Sequence, residues 1–393
     1  MKVLVVGAGM YVTGRGGYGN GTVLSALAQT SKNISIAEVV VVAKSPENKQ
    51  IIATTLQQIN EQLNTNLNVR YLQIEGTHLG EELQAICTGE KFDCAIVSTP
   101  DHLHFEPIKV LIKNKISTLV VKPLVPSLSE AKELINLQEQ YGVYGVVEFH
   151  KRYDESNLYV KKILDKGSFG KLLYVSVDFS QRVVIPTEVF KGWVEQANVF
   201  QYLGVHYVDM IYFITRFLPT QLVAYGTEGV LQSQGINALD SVHVMIEWQN
   251  RNDSSSRFVS QFNTNWIDPN CSSAMSDQKY KIVGTKGRIE CDQKNRGIEI
   301  IQEEQGISHA NPYFSEYLPD NNGKFIFQGY GFESISQFIK DSEALKNKKV
   351  DLEYLENRRA TFKESLVSTV VIEAVNNALK IPFERVKING LFE

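Results

Sequence analysis

The sequence predicts an α/β chain of two domains. Residues 1–148 read as a doubly wound parallel sheet, and residues 149–393 as an α+β domain with a mostly antiparallel sheet. Three observations predict this. At 393 residues, the chain exceeds what one ordinary hydrophobic core serves. Over its first part, short apolar runs alternate strictly with stretches of helical period. Beyond about residue 150 that rhythm gives way to alternating, β-branched runs separated by turns.

Each element follows from its own residues. Residues 3–6 (VLVV) form a continuous apolar run, as expected of a strand buried on both faces. A helix is expected over 22–29, a second strand over 37–42 (AEVVVV) and a helix over 46–63. Strands follow over 69–74, 94–98 and 117–121, alternating with helices over 81–87 and 106–113. Residues 129–141 complete the helices, with Ser127 or Ser129 as N-cap, and 144–148 form the sixth strand. In the second part, strands are expected over 172–180, 221–226, 241–248, 256–264, 279–283, 287–291 and 297–301. Helices over 153–166, 194–216 and 358–379 frame them.

Bulk properties narrow the function. Apolar residues make up 43% and charged residues 21%, the balance of a soluble globular protein. A net charge of −4 argues against nucleic acid or an anionic membrane as main partner. Cys87, Cys94, Cys271 and Cys291 form no C-x-x-C pair, so neither zinc nor a redox dithiol is indicated, and no metal is expected. A reducing, cytoplasmic setting is the simpler reading. The start MKVLVVGAGM reads as a first strand and not as a signal peptide. No apolar run reaches the roughly 18–20 residues that span a bilayer.

Several stretches carry chemistry. Residues 7–22, GAGMYVTGRGGYGNGT, hold seven glycines after the first strand. Gly7 and Gly9 stand where a dinucleotide loop needs a tight turn and close approach to pyrophosphate, followed by Met10 and Tyr11. Val12 occupies the place of the third small residue, so the loop reads as carrying an insertion that delays the helix to about residue 22. Tyr11, Thr13 and Arg15 are candidates for added contacts. The plain alternative is a flexible turn. At the tip of the second strand stand Lys44 and Ser45, with no acid to hold both ribose hydroxyls. This favours NADP(H), with NAD(H) also accommodated; the alternative is a solvated surface lysine. STPDHLH (98–104) and VVKPL (120–124) end the fourth and fifth strands, where open α/β sheets bind ligands. QYLGVHYVDMIYF (201–213) is apolar nearly all round and therefore buried. Its Tyr202, His206 and Asp209 fall at i, i+4 and i+7, on one helical face. The alternative there is a satisfied core histidine. The stretch 263–276, with Trp266 and Asp268, reads as a loop of the kind that sets specificity. Gln181-Arg182 and Lys151-Arg152 are candidates for an acidic sugar, or plain surface charges.

Taken in order, these segments resemble the Gfo/Idh/MocA family, named for glucose–fructose oxidoreductase and inositol dehydrogenase. The resemblance spans essentially the whole chain. VVKP stands at the family's E-K-P, KGSFGKLLYV (166–175) at its G-x-I-G turn and GVHYVD at its D-x-G-x-H-x-x-D. It implies a Rossmann domain, a nicotinamide cofactor and a small-molecule sugar substrate. It also implies a homo-oligomer, dimer or tetramer. It assigns Lys122 to the neighbourhood of nicotinamide and substrate, His206 to catalysis and Asp209 to the acid one turn on. Thr99, Pro100, His102 and His104 would line the cofactor. Three positions depart: Val12, Val121 for the glutamate before the lysine, and Tyr202 for the aspartate four residues before the histidine.

The function expected is hydride transfer between NADP(H) and a sugar carbonyl or carbinol. A faint likeness to the family's uronate reductases adds uronic acids to the candidates. His206 would be general acid/base, Lys122 would polarise the oxygen or relay its proton, and Tyr202 would orient the substrate. Arg182, Asp209 and Trp266 complete the candidate substrate contacts. The rivals are a non-catalytic NADP(H)-binding sensor or scaffold, favoured by Val121 and Tyr202, and an NAD-dependent glycoside hydrolase that recycles its cofactor.

Overall fold

The computed structural model describes residues 1–14 and 21–388. The chain divides into two compact units. One comprises Met1–Val125, Ser129–Asp154 and Tyr313–Leu366; the other comprises Pro126–Leu128, Glu155–Pro312 and Val367–Glu393. Among the described residues, no helix is long and apolar enough to cross a membrane. All four cysteines are free.

The first unit is a six-stranded sheet with every pair parallel. Its strands are β1 (Lys2–Val6), β2 (Glu38–Ala43), β3 (Val69–Gln73), β4 (Cys94–Val97), β5 (Ser117–Val121) and β6 (Gly145–Glu148), in the order β3-β2-β1-β4-β5-β6. The helices between them are α1 (Met10–Thr13), α2 (Val23–Thr30), α3 (Asn48–Leu63), α4 (Leu79–Gly89), α5 (Phe105–Lys113) and α6 (Leu128–Tyr141). Val3, Leu4, Val5 and Val39 to Val42 are wholly buried, which is why these runs are apolar without alternation. Each such side chain contributes about 1.5–3 kcal/mol on burial. The strand order reverses at β1 and β4, and the crevice outside their carboxyl ends is where such sheets bind ligands.

The unit is completed by chain from far downstream, where the sequence reading had given all of 149–393 to the second domain. A hairpin of Glu316–Pro319 and Phe325–Gln328 precedes the helix Tyr330–Lys346. Ile335, Phe338 and Ile339 of that helix enter the core that holds Leu24 and Leu27 of α2. Asp341 on the same helix pairs with Arg359 at 2.5 Å and accepts from the Tyr144 hydroxyl at 3.0 Å.

The second unit holds α7 (Glu155–Leu164), β7 (Leu172–Arg182), α8 (Val205–Thr215), β8 (Leu218–Thr227), β9 (Ser241–Gln249), β10 (Arg257–Asp268), β11 (Ser276–Gly284) and β12 (Gly287–Asp292). Its seven-stranded sheet runs β12-β11-β7-β10-β9-β8, closed by Val386–Lys387. All pairs are antiparallel except β7 with β10. Alternation shows one covered face: on β9, Val242, Val244, Ile246 and Trp248 are buried, while His243 and Met245 are exposed.

Two expected elements differ. The helix expected over 194–216 is three pieces: a 3-10 turn Val194–Gln196, a π-helical turn Phe200–Gly204, and α8. Gly204 makes the π-turn feasible, since a Cβ there would stand 2.4 Å from the Phe200 ring. The loop expected over 263–276 is strand in its first part, because β10 runs on to Asp268. Phe258, Ser260, Phe262, Thr264 and Trp266 all point inward with period two.

Candidate active site

Four glycines shape the described part of the loop after β1. Gly7 ends β1 at φ +106°, and a Cβ there would lie 2.2 Å from the Ser98 carbonyl oxygen, so only glycine fits. Its N–H donates to Val42 O at 2.8 Å, tying the β1 and β2 ends together. At Gly9 a Cβ would meet nothing within 4 Å, leaving open room beside the backbone. The helix does not wait until residue 22. Met10–Thr13 make one turn, the chain departs at Gly14 and returns at Gly21, whose Cβ would lie 2.4 Å from Gly14 N. Thr22 N–H then donates to Tyr11 O at 2.8 Å. The insertion therefore interrupts a helix instead of delaying it. Arg15 lies outside the described residues. Val12 is wholly buried in the core.

At the tip of β2, Lys44 and Ser45 are exposed. The Lys44 stem lies beside Gly76, and Lys44, Gln73, Ile74 and Glu75 line one groove. Ser45 Oγ donates to the Glu47 carboxylate. Glu82 holds the far wall, accepting from the N–H groups of Glu75 and Gly76 at 2.7 and 2.8 Å.

After β4 come Ser98, Thr99, Pro100 and the turn Asp101–Leu103. Thr99 Oγ1 is buried and has no hydrogen-bond partner among the described residues. An orphaned donor here, with the open backbone at Gly9, fits a dinucleotide. His102 is exposed. His104 differs from expectation: it is 1% exposed and its ring is spent on the backbone. Nε2 lies 2.9 Å from Thr99 O, and Nδ1 lies 2.9 and 3.1 Å from the carbonyl oxygens of Pro123 and Leu124. It clips the β4 loop to the segment carrying Lys122 and presents no free edge to a cofactor.

Lys122 follows β5 and is 7% exposed. Burial holds its ammonium down to about 8, against the opposing pull of Asp101 and then Glu148. A lysine so placed exchanges a proton near neutral pH. Glu148, 2% exposed, ends β6 directly opposite Val121 in the parallel register. It accepts from Ser334 Oγ at 2.5 Å and lies 3.2 Å from His150 Nδ1. The His150 ring packs between Phe314 and Tyr330, with centroids at 5.1 and 5.6 Å. The buried Tyr11 phenol is pushed well above its usual range, by burial first and by Glu148 second. Glu148, His150 and Ser334 carried no motif and were missed in the sequence.

In the second unit, His206 and Asp209 are buried on α8. The His206 ring lies 6.3 Å from Phe179. Tyr202 lies on the π-turn, edge-on to Phe190 at 4.8 Å and to Trp193 at 6.3 Å. The two rings expected on one face thus have different packing partners, and Phe190 and Trp193 join the candidate surface. Trp266 does not. It is wholly buried and its Nε1 donates to Leu239 O at 2.7 Å, so it is core and not a substrate contact. Arg182 donates to Ser272 Oγ at 3.3 Å and to Ser272 O, pinning the turn after β10. Lys151 and Arg152 are buried in the first unit, where Arg152 meets Glu364 at 3.4 Å.

Residues 1–149 match the family model described as "Oxidoreductase family, NAD-binding Rossmann fold", and residues 157–290 match "GFO/IDH/MocA C-terminal domain". A 2,7-anhydro-N-acetylneuraminate hydratase of Mediterraneibacter gnavus is 23% identical over 53% of this chain and 54% of its own length. An uncharacterized oxidoreductase of Escherichia coli, YhhX, is 30% identical over 38% of this chain and 42% of its own. The chain spans about half the length of the curated relatives it matches. Among solved structures, myo-inositol 2-dehydrogenase from Lactobacillus plantarum superposes with TM-score 0.69 at 14% identity, over 99% of both chains. Scyllo-inositol dehydrogenase from Lactobacillus casei, solved with NAD(H) and scyllo-inositol, gives 0.65 at 15%, over 98% of both. At such identities the likeness is one of fold.

Proposed function

This chain belongs to the Gfo/Idh/MocA family of oxidoreductases, and we propose that it moves a hydride between a nicotinamide cofactor and a carbinol or carbonyl carbon of a sugar or sugar derivative. The observation that carries this reading is Lys122, a buried lysine held to about 8 at the ligand-binding edge of a doubly wound sheet. The cofactor, when bound, supplies or takes up the hydride. Gly7, Gly9, Met10 and Tyr11 would hold its pyrophosphate, and Thr99, Pro100 and His102 would flank it further along. Lys122 gives a proton to the carbonyl oxygen in reduction, or takes one from the hydroxyl in oxidation. His206 is the second proton-handling candidate and Tyr202 the orienting one.

The finer readings rest on fewer residues. NADP(H) is favoured by Lys44, whose exposed ammonium suits a 2′-phosphate; Glu47 and Glu75 stand nearby to hold a free 2′-hydroxyl should NAD(H) be used. NADPH should bind more tightly than NADH, and Lys44→Asp should reverse or erase the difference in a fluorescence titration; equal affinities would refute the preference. A uronic acid has lost the support of Arg182, Lys151 and Arg152, which are all engaged internally. A homo-oligomer, dimer or tetramer, is supported by exposed Tyr174, Tyr225 and Met245 on the sheet of the second unit. Free cysteines and a modest negative charge support a cytoplasmic setting.

A second reading draws on the relatives named as hydratases, one aligned over 63% of this chain. In it the cofactor is recycled and a sugar derivative gains water without net redox change. A panel of inositols, aldoses, uronates and an anhydro-sugar, followed at nicotinamide absorbance and by product analysis, separates the two. Stoichiometric consumption of NADPH or NADH supports the dehydrogenase, and product without consumption supports the hydratase. Binding of cofactor with no turnover of any member would favour a sensor or scaffold.

A further inference from the structure

Lys122 poses a physical problem. A lysine buried this deeply needs a negative partner, or its charged form is lost. Its own strand offers none, because its neighbours are Val121 and Pro123. Register places one at the same sheet edge. In the parallel pairing of β5 with β6, Glu148 is the residue opposite Val121. Both strands end there, so the carboxylate stands at the same sheet edge as the lysine.

We infer that Glu148 is a positioning residue for Lys122, supplying from the neighbouring strand the carboxylate that β5 itself lacks at Val121. The inference deepens the reading of Lys122 proposed above and rests on it. Three features set Glu148 apart from an incidental buried acid. It is 2% exposed, and an ionised carboxylate so buried must serve a charge or a dense set of donors. Its two oxygens are separately fixed, one by Ser334 Oγ and the other by His150 Nδ1. His150 is in turn packed between Phe314 and Tyr330, so the returning segment that closes the first unit also locks the acid. Asp101, from the turn after β4, is the other acid facing Lys122, and the stronger of the two in its pull. Tyr11, His150 and Tyr153 face Glu148. The pulls of Asp101 and then of Glu148 both oppose burial and favour the charged form of Lys122.

The test follows the Lys122 Cε carbon by NMR in protein labelled at lysine Cε, the signal being assigned by its loss in Lys122→Arg. This reads the lysine without any substrate. Glu148→Gln keeps the side-chain shape and an acceptor for Ser334. It should move the Lys122 midpoint to lower pH by about half a unit or more. Val121→Glu added to Glu148→Gln should bring the midpoint back up. The alkaline limb of NADPH-driven turnover should shift in parallel. An unchanged midpoint in Glu148→Gln, with Asp101→Asn alone moving it, would overturn the inference. So would a double variant no different from Glu148→Gln. Should Lys122→Ala turn over normally while the midpoint still follows Glu148, the role proposed for the lysine falls and the carboxylate pairing stands.

Discussion

Lys122 and His206 are both buried bases, but they are held by different means. Lys122 sits at the end of a parallel strand, where backbone pairing and side-chain hydrogen bonds fix its surroundings. Val121 registers with Glu148, Gly7 abuts the Ser98 carbonyl, and His104 clips two loops through three carbonyl oxygens. His206 sits on a helix that follows a π-turn, with its ring 6.3 Å from that of Phe179, and Tyr202 on the π-turn packs edge-on to Phe190. The strand edge is preorganised by hydrogen bonds, which suits a group whose proton affinity must be set. The aromatic surround of Tyr202 sets shape, which suits choice of substrate.

Substitutions sharpen this contrast, the largest effect first. Trp266→Ala should destabilise the second unit by about 3–5 kcal/mol, as loss of a buried indole does, and urea unfolding will read it. A loss under about 1 kcal/mol would restore Trp266 to the surface. Gly7→Ala forces a methyl against the Ser98 carbonyl at positive φ and should cost about 2 kcal/mol or more, with loss of cofactor binding by calorimetry. Unchanged binding would mean that the loop does not hold the dinucleotide. Tyr202→Phe should raise KM several-fold across the sugar panel while leaving cofactor affinity and melting temperature as they were. An enzyme indistinguishable from the parent would make Tyr202 packing alone.

The same contrast decides what was legible in the sequence. The parallel sheet announces itself because strands buried on both faces must be apolar throughout, as in Val39 to Val42. The end of such a strand is also legible, and with it Lys122. Glu148 was not, since its meaning comes from its register with β5, which no motif marks. The returning helix Tyr330–Lys346 was missed because the core face it covers belongs to residues near the N-terminus. Trp266 was readable in principle. Phe262, Thr264 and Trp266 continue the alternation of β10, but the polar residues between them suggested a loop. His104 looked like a cofactor contact because burial, not residue type, separates a clip from a ligand. The π-turn at Phe200–Gly204 leaves no periodic signature in an all-apolar stretch.

The pH dependence of carbonyl reduction driven by NADPH or NADH, compared between the parent enzyme and Lys122→Ala, tests the central claim most directly. Reduction needs the protonated lysine, which exists below its pKa, so the parent rate should fall as pH rises through about 8. Oxidation needs the neutral amine and should rise over the same interval. Lys122→Ala should lose about 10²-fold in turnover and lose this limb, with cofactor affinity within a few-fold. A limb near 8 that persists unchanged in Lys122→Ala would contradict the assignment of Lys122 as the proton-handling group.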